Sequence, residues 1–262
     1  MTDQEMAVQA AELARQQYAQ KRQKGIAVFW RRLGGMPDIP GKDVLDVGCG
    51  LGALSFSLAK AGANRVVGVD INHKSIDYAN KLLYKCSPSQ QKVQEFIVAD
   101  PRELDEKAKF DCIVTRDAFE HVIDLPELFA DLVQRLRPGG RMYIGFGPLY
   151  RGPFGGHRRM HMAVPWGHLM MPEHLLLRWV NRYRAPEDQV SSVKEMGLNQ
   201  LRLVDYRQIL VEDSGLSAIY WRVNHGQRLI SKIFALLYRL PVVGELFAND
   251  LYAVLEKQVE KV

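Results

Sequence analysis

Between Lys42 and Phe146 short apolar runs alternate with stretches of helical periodicity, and few folds accept that pattern. Val44-Leu45-Asp46-Val47 reads as a strand, with a helix after it over residues 51–61. Residues 65–69 read as a second strand, 73–85 as a helix, 95–99 as a third strand and 111–115 as a fourth. Residues 126–136 read as a helix stopped by Pro138-Gly139-Gly140, and 141–146 as a fifth strand. Strands separated by helices in this way need crossover connections. These are right-handed and place helices on both faces of a mostly parallel, doubly wound α/β sheet. The chain has 262 residues, 47% of them hydrophobic, which a single doubly wound unit can accommodate. Ahead of the alternation, residues 2–33 carry a weak helical stripe (Ala7, Val8, Ala11, Leu13, Ala14, Tyr18) and a stronger one (Ile26, Val28, Phe29, Trp30, Leu33). Gly34-Gly35, Pro37 and Pro40 end it. After Phe146 the pattern breaks: 148–190 reads as an irregular insertion and 201–213 as a helix with Gly215 at its C-cap. Residues 217–223 then read as a strand, 228–240 as an amphipathic helix and 252–255 as a last strand.

The first strand runs into Gly48-Cys49-Gly50-Leu51-Gly52 and then a helix. Glycines there let the backbone turn sharply and approach a ligand, and the helix start offers unpaired N–H groups. A dinucleotide suits such a turn, since a pyrophosphate sits well on a helix N-terminus. Gly48-x-Gly50-x-x-Ala53 with Asp70 further on fits that looser fingerprint. S-adenosylmethionine (SAM) suits it too, and Asp46 favours SAM: a carboxylate inside the strand matches a ligand with a cationic amino group better than a pyrophosphate. Asp46 can instead bind local backbone N–H groups, Asp70 can cap the next helix, and Asp100 before Pro101 can be turn chemistry.

VLDVGCGLG at positions 44–52 resembles the first motif of the class I SAM-dependent methyltransferases. Gly68-Val69-Asp70-Ile71 resembles the end of their second strand, whose acid holds the ribose hydroxyls, and Val98-Ala99-Asp100 the segment near the adenine. Phe110-Asp111-Cys112-Ile113-Val114 with Phe119-Glu120-His121-Val122 resembles the fourth strand and the helix after it. Leu136-Arg137-Pro138-Gly139-Gly140 resembles the turn before strand five. The resemblance covers residues 42–146 and implies a seven-stranded sheet whose last strand is antiparallel. It implies SAM as methyl donor, S-adenosyl-L-homocysteine as product, and cofactor contacts from Asp46, Gly48, Cys49, Gly50, Gly52, Asp70, Ile71, Asp100, Pro101, Arg116 and Asp117. Glu120 and His121 correspond to a family pair that builds the pocket wall. One methyltransferase domain over 1–262 is the domain organisation this implies: a helical cap (1–40), a SAM-binding half (41–147), a lid over the acceptor (148–197), and the C-terminal half of the sheet with a helical excursion (198–262).

The insertion gathers four of the seven histidines within 18 positions, His157, His161, His168 and His174. A similar Gly-Gly-His, Pro-Trp-x-His-Leu and Pro-Glu pattern occurs in a bacterial subset of the family. Three readings stand open. His157 or His168 acts as a general base on a hydroxyl or amine. Some of His157, His161, His168, Glu173 and His174 hold a divalent metal, although their spacing matches no specific metal motif. Or these residues shape a pocket, with Tyr150, His161, Trp166, Glu173 and His174 on the acceptor and Phe154 in the lid packing. Methyl transfer from a sulfonium is an in-line displacement that proximity and alignment can largely drive, so a base is needed only if the acceptor loses a proton.

The net charge of +5 is spread over small clusters such as Lys21, Arg22 and Lys24 or Arg178, Arg182 and Arg184, with no basic run of five. That argues against DNA and weakly against RNA. Arg228, Lys232 and Arg239 beside the apolar residues of 228–240 leave peripheral membrane contact open, next to core or dimer packing. Three cysteines without Cys-x-x-Cys spacing argue against a disulfide framework, and no signal-type or bilayer-length apolar run is present, which points to the cytoplasm. The resulting expectation is a monomeric or homodimeric SAM-dependent methyltransferase acting on an oxygen or nitrogen of a small-molecule, sugar or lipid-linked acceptor. An RNA methyltransferase, a non-catalytic SAM-binding protein and a nicotinamide oxidoreductase are the alternatives.

Overall fold

The computed structural model describes Leu13, residues 16–226 and residues 229–259. Ala7, Val8, Ala11 and Ala14 of the N-terminal stripe, and Arg228, lie outside them. Among the described residues seven strands are present: β1 (Asp43–Val47), β2 (Arg65–Asp70), β3 (Gln94–Val98), β4 (Phe110–Arg116), β5 (Leu136–Phe146), β6 (Leu216–Val223) and β7 (Leu251–Lys257). Their order in the sheet is β3-β2-β1-β4-β5-β7-β6. Contacts group the chain into two compact units, residues 1–103 and 104–262.

In the first unit residues 16–24 are helical and lead to α1 (Ile26–Arg32), which buries Ile26, Phe29 and Trp30. Strands β1, β2 and β3 pair in parallel, with Val44 opposite Val66 and Val66 opposite Gln94. Val44, Leu45, Val66, Val67 and Val69 are fully buried, as strands covered on both faces require. The helices are α2 (Ala53–Lys60), α3 (His73–Leu83) and α4 (Pro88–Val93). Asn72 caps α3 by accepting from the Ser75 N–H. Sequence periodicity misses α4, because none of its side chains is buried; its only signal is the Ser87 cap followed by Pro88.

In the second unit β4 and β5 are parallel, and β7 lies antiparallel between β5 and β6. Helix α5 (Leu125–Arg135) precedes β5, which already begins at Leu136. The Pro138-Gly139-Gly140 segment is therefore inside the strand and not a stop before it. Leu136 pairs with Phe110, and the register slips between Phe110 and Cys112 to absorb the irregular stretch. The insertion is also more regular than its composition suggests. It contains α6 (Glu173–Asn181), whose Leu176 and Val180 pack with Met160, Val193, Met196 and Leu198 in a small core of their own. The helix expected over 201–213 is α7 (Leu203–Arg207) continuing into a π-helical turn (Gln208–Glu212). Helix α8 (Leu229–Leu237) falls within the expected 228–240. Among the described residues no helix is long and apolar enough to cross a membrane.

Candidate active site

The turn after β1 is built from glycines because its backbone is left-handed three times over: Gly48, Gly50 and Gly52 have φ of 70°, 55° and 79°. At Gly52 space is restricted as well, since a Cβ there would sit 2.7 Å from the Phe96 ring and 2.9 Å from that of Phe56. Gly48 and Cys49 donate their N–H groups to the Val69 carbonyl at 2.9 and 3.0 Å, tying the turn to the end of β2. A Cβ on Gly50 would meet nothing within 4 Å, so open space lies over the turn.

Asp70, the last residue of β2, accepts from the Gly50 N–H at 2.9 Å through one oxygen and from the Asn72 N–H at 2.8 Å through the other. It does not cap α3; Asn72 does. Each carboxylate oxygen keeps a second acceptor site. The next residue, Ile71, is 75% exposed, an apolar side chain beside an acid. Asp46 is only 1% exposed, and one of its oxygens accepts from the Ser55 hydroxyl of α2 at 2.6 Å. Cys49 is buried; burial first, then the Asp46 and Asp70 carboxylates, push its thiol far up, so it is no nucleophile. Asp100 accepts from the Arg102 guanidinium at 2.8 and 2.7 Å, which holds its carboxyl below the usual range, and buried Pro101 opens the short 3-10 turn that comes next. A left-handed turn with open space over it, a carboxylate with spare acceptor sites and an exposed apolar neighbour suit a ligand carrying a ribose diol and an apolar base.

In the second unit Asp117 follows β4 with φ 55° and donates its N–H to the Gly145 carbonyl; Arg116 Nε lies 3.6 Å from its carboxylate. Glu120 is buried next to His121. A pocket of about 350 Å3 is lined by residues that include Pro148, Phe154, His157, Met162, Val164 and His168. The histidines here have fixed tautomers. His157 Nε2 donates to the Pro148 carbonyl at 3.1 Å and His168 Nε2 to the Tyr150 carbonyl at 2.6 Å, which leaves Nδ1 of each as a lone pair. His121 uses Nδ1 on the Gly197 carbonyl at 2.7 Å, so its Nε2 carries the lone pair. The rings of His121 and His157 are 5.1 Å apart. Burial lowers the pKa of all three; His157, with His121 and Arg159 beside it, falls to about 4. His157 also holds φ 50°, a left-handed backbone it shares with His161 and Trp166 of the same insertion.

The five residues considered as metal ligands do not come together. His161 stacks on Tyr183 at 4.8 Å, Glu173 accepts from the Val193 N–H, and His174 is exposed on α6. Among the described residues the ligand-bearing group is instead Glu120, His121 and His157, with one atom of each within 4.8 Å of the others. Arg159 lies against the same group: its charge lowers both His121 and His157, and Glu120 stabilises that charge in return. A fixed guanidinium there opposes a divalent cation. Trp166 donates to the Leu246 carbonyl at 2.7 Å and packs on Phe247, and Tyr150 packs edge-on to His168, so both back the pocket wall. The pairing of His157 with His121 has no signal in sequence spacing; only the family's Glu-His pair pointed to that wall.

The fold is that of the class I SAM-dependent methyltransferases. A solved S-adenosylmethionine dependent methyltransferase from Mesorhizobium loti superimposes with a TM-score of 0.57 at 18% identity, over 90% of this chain and all of that one. The family described as "Methyltransferase domain" matches residues 18–193, and the chain belongs to that family. Curated relatives include phosphoethanolamine N-methyltransferase 1 of Zea mays, 37% identical over 106 residues, 40% of this chain and 20% of that protein. Ubiquinone biosynthesis O-methyltransferase of Aromatoleum aromaticum is 37% identical over 107 residues, 40% of this chain and 44% of that protein. The chain thus matches less than half the length of either relative.

Proposed function

We propose that this methyltransferase passes the methyl group of SAM to an oxygen or nitrogen of a small-molecule, sugar or lipid-linked acceptor and leaves S-adenosyl-L-homocysteine. The observation that carries the reading is the clamp of Asp70 on Gly50, which holds a glycine turn open at the end of two parallel strands. SAM supplies an electrophilic methyl on a sulfonium. In the first unit the Gly48–Gly52 turn, Asp70 and Ile71 would hold it, with Asp100 beside the base. Asp46, tied to Ser55, sets the floor of the turn.

Acceptor chemistry falls to the second unit. His157 Nδ1 carries a lone pair at the lining of the 350 Å3 pocket and stays neutral at working pH, so it can take the proton of a hydroxyl or amine as that group attacks. Burial first, then His121 and Arg159, keep it neutral; His168, fixed on Tyr150, shapes the same wall. Acceptors of relatives that include a phosphoethanolamine and a ubiquinone-pathway enzyme are small molecules, in line with this pocket size. The test is calorimetric titration with SAM followed by transfer of labelled methyl across a panel of small hydroxyl and amino acceptors. SAM binding without transfer to any of them would leave a cofactor-binding protein and defeat the catalytic reading.

A further inference from the structure

Helix α8 has one buried anchor. Phe234 packs on Trp166 and Phe247, and it is the helix's only buried residue. The opposite face is apolar and open. Leu229 (74% exposed), Ile233, Leu236 (66%) and, a turn on, Leu240 recur at the spacing of one helical stripe. Val242, wholly exposed, and Val243 continue it. Seven of the large exposed hydrophobics fall within residues 229–243, whereas monomers usually scatter such residues singly.

We propose that this stripe docks on an anionic lipid bilayer. Charge selects the occupant. From Ser214 to Gly244 the sequence has no Asp or Glu, while it carries Arg222, Arg228, Lys232 and Arg239. Lys232 and Arg239 are exposed; at 100° per residue Lys232 lies along the edge of the apolar stripe, and Arg239 stands in the turn that follows the helix. An apolar face with a cationic edge is the arrangement of helices that lie in the membrane interface, their apolar side chains among the acyl chains and their cations at anionic headgroups. A second copy of the chain fits less well. Two-fold pairing would set the cationic edge against itself with no carboxylate on the helix to answer it, and seven side chains fall short of the roughly 20–30 residues a side of a stable interface. Trp166, against which the anchor packs, lies two residues from pocket residues Val164 and His168. A docked α8 would therefore hold that pocket at the lipid surface, within reach of a membrane-borne acceptor; that last step alone rests on the methyl-transfer reading.

The experiment is co-sedimentation of the full chain with vesicles of phosphatidylcholine and of an equal mixture of phosphatidylcholine and phosphatidylglycerol. It reads binding alone, so its outcome is separate from whether methyl is transferred. Expected is salt-sensitive binding to the mixed vesicles that exceeds binding to phosphatidylcholine. Ile233→Asp with Leu236→Asp lowers it by on the order of a hundredfold. Lys232→Gln with Arg239→Gln lowers it by about thirtyfold. All four side chains are exposed, so melting temperatures stay near that of the parent. Failure to bind the mixed vesicles, or an aspartate pair that binds as the parent does, overturns the proposal. So does a solution dimer that the aspartate pair dissociates, which would give the face to a second copy.

Discussion

His157 offers a perturbation whose size can be worked from its surroundings. Folding pulls its pKa from 6.5 to about 4, by burial first, then by His121 and Arg159. Above pH 6.5 the ring is neutral in both folded and unfolded chains, and its neutrality costs nothing. As pH falls from 6.5 towards 4 the unfolded chain takes up a proton that the folded one refuses, so stability falls; below about 4 both are protonated and the loss levels off. At about 1.4 kcal/mol per pH unit a fully shielded ring would lose about 3 kcal/mol over that interval, and a ring partly open to water about 2 kcal/mol. His157→Asn removes the titration while tolerating the left-handed φ of 50°. His121 and His168 are lowered in the same direction, so the parent's own slope is not the test; the difference between parent and variant is. Urea denaturation from pH 4 to 7 should show the variant gaining about 2 kcal/mol on the parent as the solution is acidified. Parallel stability curves would refute the argument that folding holds this ring neutral. The same depressed pKa bears on catalysis. An ordinary histidine base would show a rate rising through pH 6.5, whereas the parent rate should be flat from about pH 5 upward and fall only towards pH 4.

Other consequences can be checked directly. Asp70→Ala should weaken SAM binding at least tenfold by calorimetry and, because it also releases the N–H groups of Gly50 and Asn72, should cost about 2–3 kcal/mol of stability; unchanged affinity in a folded variant would remove Asp70 from the cofactor site. Gly52→Ala should destabilise by about 2–3 kcal/mol in chemical denaturation, from a left-handed φ and from contact with Phe96 and Phe56. Truncation before Asp250 removes β7 and its buried Leu251, Tyr252, Ala253, Val254 and Leu255. At about 1.5–3 kcal/mol for each large apolar side chain the loss matches a whole domain's stability, so a cooperative thermal melt of the truncated chain would contradict the role given to β7.

How far the fold could be read from the sequence depends on where each determinant lies. The central strands were legible because they are short apolar runs; Val44, Leu45, Val66 and Val67 are buried outright and interrupted by few polar residues. The glycine turn was legible for a related reason: a left-handed backbone needs glycine at the residue concerned, whatever surrounds it. Helix α4 had no such mark, since nothing in it is buried. Helix α6 was hidden by Leu175-Leu176-Leu177, of which only Leu176 is buried, so the run of three blurs the period that Leu176 and Val180 keep. The Pro138-Gly139-Gly140 segment looked like a stop because its residues favour turns, yet it bulges between two rungs of one ladder, Leu136 on Phe110 and Arg141 on Cys112.

The histidines show the other side of that rule. Four crowded together in sequence suggested a shared site, but crowding along the chain is not proximity in the fold. His161 went to Tyr183 and His174 to the surface, and His157 met His121, which belongs to the turn after β4. That meeting depends on how the insertion folds over its own small core around Met160 and Leu176, a contact set with no local signature. What decides the chemistry of His157 is equally non-local: the Pro148 carbonyl chooses its tautomer, and burial, then His121 and Arg159, raise the cost of its protonated form. A residue type can therefore be nominated from sequence, but whether it acts as a base, binds a metal or merely packs is set by partners that only the folded chain supplies.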